Sequence, residues 1–323
     1  MLQRHLTTTF RHLRRRKVYA LINILGLAVG LSVCLVIWKY VEFELSYDNF
    51  HKNGDQIYRT LFTDYVNGEK IASSPRFGYG LGPALLQDLP EVETYVRTHG
   101  LGGDHAVITY QPDDAKSIQF QEENIMFVDS TFLDVFTYNT ILGDPCIALD
   151  NPASFVLTES TANRYFGKGS NPIGSTLSVY TSYWIKGEYV VSAVIQDVPP
   201  NSHARFDFLI PIHDLLQVEG YLEPRAAWEW VNFITYVQMH PGTVIEHVNA
   251  KTDPLLTKYT GPNEPGTFIF TFEPLRDIHV SEKEESSFNN IYFFVLVSLM
   301  ILSIAWINYI NLTTARATER GKE

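Results

Sequence analysis

Residues 14–50 read RRRKVYALINILGLAVGLSVCLVIWKYVEFELSYDNF, and this stretch decides where the rest of the chain lives. Four cations run straight into 21 uncharged residues, 18–38. As a helix rising ~1.5 Å per residue, the run spans ~31 Å, close to the hydrocarbon core of a bilayer. A secretory leader has an apolar core of only about 7–15 residues, with a small-residue cleavage site just after it. Here KYVEFELS follows, and the small pair Ala28 and Gly30 lies in the middle of the run. The stretch reads as a retained transmembrane helix, residues 18–41, and not as a leader that is removed.

A second uncharged run, IYFFVLVSLMILSIAWINYINL, fills residues 291–312. Two such runs in a chain of near-neutral mean hydropathy are not ordinary core helices. Aromatics near their ends (Tyr19, Trp38 and Tyr40; Tyr292, Trp306 and Tyr309) fit an interfacial belt. Charge then sets orientation. Residues 1–17 hold six cations and no acid, and Arg316, Arg320 and Lys322 follow the second run. The positive-inside rule predicts that both termini are cytoplasmic, in a bacterial inner membrane, and that residues 42–290 are extracytoplasmic. That outer part carries 34 of the 36 acids and 15 of the 25 cations, a formal charge of −19. Such a domain excludes nucleic acid as a partner. Cys34 and Cys146 cannot pair, so the 249 outer residues need a core of their own.

The cytoplasmic edge carries its own pattern. Leu2, Leu6, Phe10 and Leu13 fall on one side of a helix over residues 1–17, with Arg4, Arg11, Arg14 and Arg15 opposite. This predicts a basic amphipathic segment lying on membrane lipid. In the first span, Gly26 and Gly30 share a face with Asn23. In the second, Asn308 and Asn311 share another. Small and amide residues at such spacing predict helix packing within a bundle.

The outer domain alternates strand-like and helix-like segments, so it reads as α+β, with a β-rich block over about 136–211 inserted into a flanking α+β part. No HExxH, CxxC or GxSxG occurs. His99, Asp104 and His105 sit in the Gly-rich HGLGGDH and read as a solvated turn, and the acid pairs Asp113-Asp114 and Glu122-Glu123 as solvated loop charges. The nearest approach to a phosphate loop, YFGKGSNPIGS, has Gly169 where Ser or Thr is needed and lies outside, where ATP is not available. The chain therefore reads as a non-enzyme with no catalytic residue, cofactor or metal.

INILGLAVGLSVCLVIWKYVEFELSYDNFHKNGDQIYR resembles the first helix and following motif of ABC-transporter permeases of the MacB/FtsX type, with Glu44, Leu45, Ser46, Tyr47, Asp48, Phe50, His51, Asp55, Ile57, Tyr58 and Arg59 at matching positions. LTESTANRYFGKGSNPIG and VIQDVPPNSHARFDF resemble that family's extracytoplasmic core domain. INYINLTTARATERGKE resembles the end of its second helix, with residues 313–323 opening the FtsX-like permease region. The resemblance implies a porter-like α+β subdomain with an inserted β-rich, sabre-like subdomain, flanked by two transmembrane helices. It implies an ATPase on a separate cytoplasmic subunit, a second permease copy or homologue, and a periplasmic adaptor as partners. It also implies further helices past residue 323, so that this chain reads as the first half of a permease unit or as a truncated product. Arg316 and Arg320, four apart, are the candidates for coupling to that ATPase. The competing layouts are a two-span sensor or accessory protein with an outer ligand-binding domain, and a membrane-anchored enzyme.

Orientation is directly testable. In a background with Cys34 and Cys146 replaced by Ser, a membrane-impermeant thiol label should reach Cys placed at Asp113 in intact spheroplasts, and should not reach Cys placed at Thr8. The opposite labelling pattern would reverse the topology.

Overall fold

The computed structural model describes residues 17–67, 69–112, 116–218, 221, 226–261, 268–282, 293–304, 306, 307 and 310, with only the backbone described for 17–20, 22 and 23. The chain divides into two units, one formed by Met1–Ser46 with Val280–Glu323, the other by Tyr47–His279.

In the first unit, the helix Lys17–Glu44 contains the apolar stretch Ile24–Glu44, and a second apolar helix covers Phe293–Ile304. Cys34 Sγ lies 3.6 Å from the Ser298 carbonyl oxygen, and Tyr40 meets Phe294 edge to face at 5.4 Å. Because the first helix advances from 34 to 40 as the second runs back from 298 to 294, the two are antiparallel. Gly30 is buried one turn before Cys34, whereas Leu25, Val29, Leu35, Val36 and Trp38 turn outward. An outward apolar surface of this kind suits lipid and not water.

The second unit is built on one 14-stranded sheet. Its strands are β1 (Ile57–Val66), β2 (Glu69–Ser74), β3 (Arg76–Phe77), β4 (Val92–Gly100), β5 (Ala106–Tyr110), β6 (Ile118–Glu122), β7 (Ile125–Val128), β8 (Thr140–Gly143), β9 (Ser154–Thr158), β10 (Thr176–Thr181), β11 (Lys186–Ile195), β12 (Phe208–Pro211), β13 (Phe233–Met239) and β14 (Phe268–Pro274). The main path runs β14-β1-β13-β4-β7-β12-β9-β11-β10-β5-β6. Strands from the first and last thirds of the chain thus occupy one end, and strands from its middle the other. The block expected over about 136–211 supplies β8 to β12. β5 and β6, which precede it, reach the same end through β5–β10 pairing.

Most neighbours are antiparallel, but β9–β11 and β7–β12 are parallel. The reason is legible locally. SFVLT of β9 and FLIP of β12 are buried at every position, as befits strands covered on both faces. β10, by contrast, alternates exposed and buried along TLSVYT. Three apolar clusters result. One gathers Phe127, Phe155, Leu177 and Phe208, a second Phe132, Phe136, Phe206 and Tyr236, and a third Phe62, Leu85, Phe270 and Leu256.

One acid and one histidine depart from the solvated roles expected of them. Glu122 is buried, accepting hydrogen bonds from Arg164 at 2.7 Å and the Tyr165 hydroxyl at 2.8 Å. His99 ends inside β4, only 4% exposed, between Phe127, Trp184 and Phe233. Burial pushes its pKa down to about 4, so it is neutral. The solvated-turn reading holds for exposed His105; Asp113 and Asp114 lie outside the described residues.

Arg59 of β1 sits opposite Glu273 of β14 and donates to its Oε2 from Nε at 3.1 Å and from a terminal nitrogen at 2.7 Å. Both groups are buried. Removing one partner leaves an uncompensated charge, so Arg59→Ala should cost about 3–5 kcal/mol in urea unfolding of residues 45–286, while the double change Arg59→Met with Glu273→Leu should recover most of it. A single-variant loss below about 1 kcal/mol would show that the pair does not hold the sheet end.

Candidate functional site

Two stretches that carry the resemblance, residues 44–59 and 194–208, are about 150 positions apart, and they meet at Asp48. This residue has a left-handed backbone, φ 57°, and is fully buried. Asp tolerates that conformation better than most side chains because its short polar group can bond locally. The Asp48 amide donates to the Asn201 carbonyl at 2.9 Å. Its Oδ1 accepts from the Ser202 hydroxyl at 3.3 Å and from the His203 amide at 3.2 Å. The diproline at 199–200 turns the chain after β11 so that the Ser202 hydroxyl and the His203 amide face the carboxylate and the Asn201 carbonyl faces the Asp48 amide.

Two imidazoles flank the same carboxylate. His203 Nδ1 lies 2.9 Å from Asp48 Oδ2, close but not aligned as a hydrogen bond. The carboxylate favours the proton on Nδ1, so Nε2 accepts from the Tyr236 hydroxyl, 2.9 Å away on β13. His51 Nδ1 accepts the Thr137 amide at 3.0 Å, which leaves its proton on Nε2, 3.8 Å from Asp48 Oδ1. In return the Lys52 amide donates to the Thr137 hydroxyl at 3.0 Å. Phe50, Phe136 and Tyr138 close around the His51 ring.

The two ends of this unit are also joined. Tyr47 stacks on His279 with ring centroids 3.2 Å apart and planes 10° from parallel. The first and last residues of the sheet domain are therefore face to face. The result is a joint: residues 47–52, the loop 199–203, the segment 136–139, β13 and His279 are fastened through one buried polar cluster and one ring stack.

This joint is a fastening and not a reaction centre. The His51 lone pair is already taken by an amide, and among the described residues no group of three His, Cys, Asp or Glu side chains is arranged to hold a metal ion. The Gly167-Lys168-Gly169 turn follows the helix Glu159–Phe166. A phosphate cradle needs the N-terminal end of a helix, where free amides point outward. One open groove of about 560 Å³ lies on the solvent face of β5, β6, β10 and β11, lined by Thr109, Gln119, Tyr180, Lys186 and Glu188 among others.

Of the residues expected to pack the membrane helices, Gly26 is exposed and Gly30 buried, and the side chain of Asn23 lies outside the described residues. Asn308, Asn311, Arg316 and Arg320 lie outside them entirely. The partnership of Asp48 with His203 and Tyr236 was not anticipated. The signal for it was the unusual density of polar residues in two otherwise unrelated motifs.

An α+β sheet domain whose chain ends are clasped together, inserted between two apolar stretches, defines an outer domain of a membrane protein. The profile of the MacB-like periplasmic core domain matches residues 20–255, and the chain belongs to that family. It thereby carries the periplasmic core domain of a MacB/FtsX-type ABC transporter permease, as its motifs led one to expect. Among solved structures, a domain of a proposed permease from Porphyromonas gingivalis is 19% identical, covers 69% of this chain and 91% of its own, and superposes with a TM-score of 0.53. The periplasmic region of MacB from Actinobacillus actinomycetemcomitans is 14% identical over 72% of this chain and 94% of its own, TM-score 0.47. The extracellular domain of the noncanonic ABC-type transporter YknZ from Gram-positive bacteria is 14% identical over 67% of this chain and 99% of its own, TM-score 0.43. No curated relative matches the chain.

Asp48→Ala combines a strained left-handed alanine with the loss of the acceptor for Ser202 and His203, and should lower stability by about 2–4 kcal/mol. Asp48→Asn keeps the tolerated backbone and one acceptor oxygen, and should cost less than half as much. Equal losses in chemical unfolding would mean that the carboxylate charge, not the backbone and acceptor geometry, holds the joint.

Proposed function

We propose that this chain is a permease subunit of a MacB/FtsX-type ABC transporter, in which a separate cytoplasmic ATPase drives movement of residues 42–290 for export or mechanotransmission. In this reading residues 18–41 and 291–312 cross the membrane and both termini are cytoplasmic. A second permease copy or homologue completes a dimer, with Asn23, Gly26, Gly30, Asn308 and Asn311 at helix contacts. Residues 1–17 lie on membrane lipid, a periplasmic adaptor is a further partner, and Arg316 and Arg320 face the ATPase.

The observation that supports this reading is the joint. Asp48 follows the helix Lys17–Glu44 by only four residues, and it is tied to the loop after β11 and, through His203, to β13. A residue so placed cannot be displaced without dragging a buried carboxylate out of its donors, which is costly. Movement of the helix end is therefore carried into the sheet and is not lost in a slack linker. The Tyr47–His279 stack ties the outgoing chain to the same point.

The reading is tested on the full-length permease in native membranes. It should purify with an ABC ATPase and support ATP hydrolysis. A chain that purifies without one, and instead binds a ligand through residues 42–290, would favour the two-span sensor. Arg316→Gln with Arg320→Gln should insert normally yet reduce ATPase association or transport-linked turnover several-fold. Normal insertion with unchanged association and turnover would remove both arginines from the mechanism.

A further inference from the structure

The joint contains a second device that its fastening role does not require. His51 is held in the one protonation state that its neighbours permit. Its Nδ1 is an acceptor, because the Thr137 amide, 3.0 Å away, can only donate. A proton added to Nδ1 would set N–H against N–H across that contact. The ring has no room to turn away, since its side chain is fully buried among Phe50, Phe136 and Tyr138. The titratable groups that face it come from every surrounding element: Asp48 on its own turn, His203 on the loop 199–203, Tyr138 after the segment that carries Thr137, and Tyr236 on β13. Beside it, Asp48 Oδ2 and His203 Nδ1 face each other at 2.9 Å without aligned hydrogen-bond geometry, and His51 Nε2 makes no well-formed hydrogen bond among the described residues.

We propose that His51 is an acid-released latch: proton uptake at its Nδ1 converts the acceptor of the Thr137 amide into a donor and frees residues 47–53 from residues 136–139. A proton added to His51 charges a fully buried ring, which water would hold better than protein. Opening residues 47–53 supplies that water. The latch rests on the domain's own geometry; only its exposure to acid rests on the proposed placement of residues 42–290 outside the cell, where pH follows the medium.

The direction with pH follows from burial. Desolvation lowers the His51 pKa to about 4 from 6.5, outweighing the opposing pull of Asp48, with His203 lowering it further. The closed contact is thus fully present above pH 6.5 and is lost as pH falls towards 4. The test is hydrogen exchange of the full chain in nanodiscs, corrected for the intrinsic pH dependence of exchange. Opening of peptides covering 47–53 and 136–139, relative to β11, should rise on the order of 50-fold between pH 7.5 and 4.5. His51→Asn places an uncharged acceptor where Nδ1 was and cannot take up a proton, so its relative exchange should be flat over the same range. Wild-type peptides that keep their protection relative to β11 down to pH 4.5 would overturn the latch, as would a folded His51→Asn protein that still opens in acid. If His51→Asn does not fold, the wild-type comparison decides alone. Because the assay exposes both faces of the nanodisc to one buffer, it reads the latch independently of which side the domain occupies.

Discussion

A carboxylate with no solvent and no permanent cation must be held by many donors at once, and Asp48 imposes that constraint on everything near it. Its left-handed backbone turns the chain sharply after the first apolar helix. Its side chain can be accommodated only if the loop 199–203 brings a hydroxyl, an amide and an imidazole to the same point. That loop in turn can reach because β11 ends at Ile195, four residues before the diproline. The energy of each contact is modest, about 1 kcal/mol net for a neutral hydrogen bond. The cost of leaving the charge unpaired is several times larger, and this asymmetry makes the joint all-or-none.

The sheet turns this local constraint into a global one. β13 carries Tyr236 into the joint, and it is also the neighbour of both β1 and β4. β1 is locked to β14 by the buried Arg59–Glu273 pair. β4 is locked to the residue after β7 by Arg97, whose guanidinium and backbone amide both bind Asp129. Displacement at residue 48 therefore meets a continuous ladder of hydrogen bonds and two charged cross-links. These cross-links tie the strands at this end of the sheet to one another.

Some of this was legible in the residues alone. Strands such as FVL in β9 and YVVSAVI in β11 announce themselves by β-branched and aromatic runs, and the helix Glu159–Phe166 by an acid at its start and Gly167 at its end. His99 and Glu122 were misread for the opposite reason. Each stands beside Gly-rich or acidic neighbours that suggest water, but each is covered by residues far away in sequence: His99 by Trp184 and Phe233, Glu122 by Arg164 and Tyr165. Local polarity describes what a residue's neighbours prefer, not what the fold later places on top of it.

The sequence by itself determined the lengths of the apolar runs, the charge asymmetry around them, the α+β alternation and the family motifs. Each of these is a property of consecutive residues, set by the dimensions of a bilayer or by the periods of helix and strand. Only the tertiary structure decided that Asp48, Thr137, His203 and Tyr236 converge, that Tyr47 and His279 stack, and that His51 must stay neutral. Those facts depend on which strands pair across separations of 80 to 230 residues, and on the low-dielectric enclosure that results. Chain proximity encodes neither, because burial is created by the whole fold and belongs to no single segment of it.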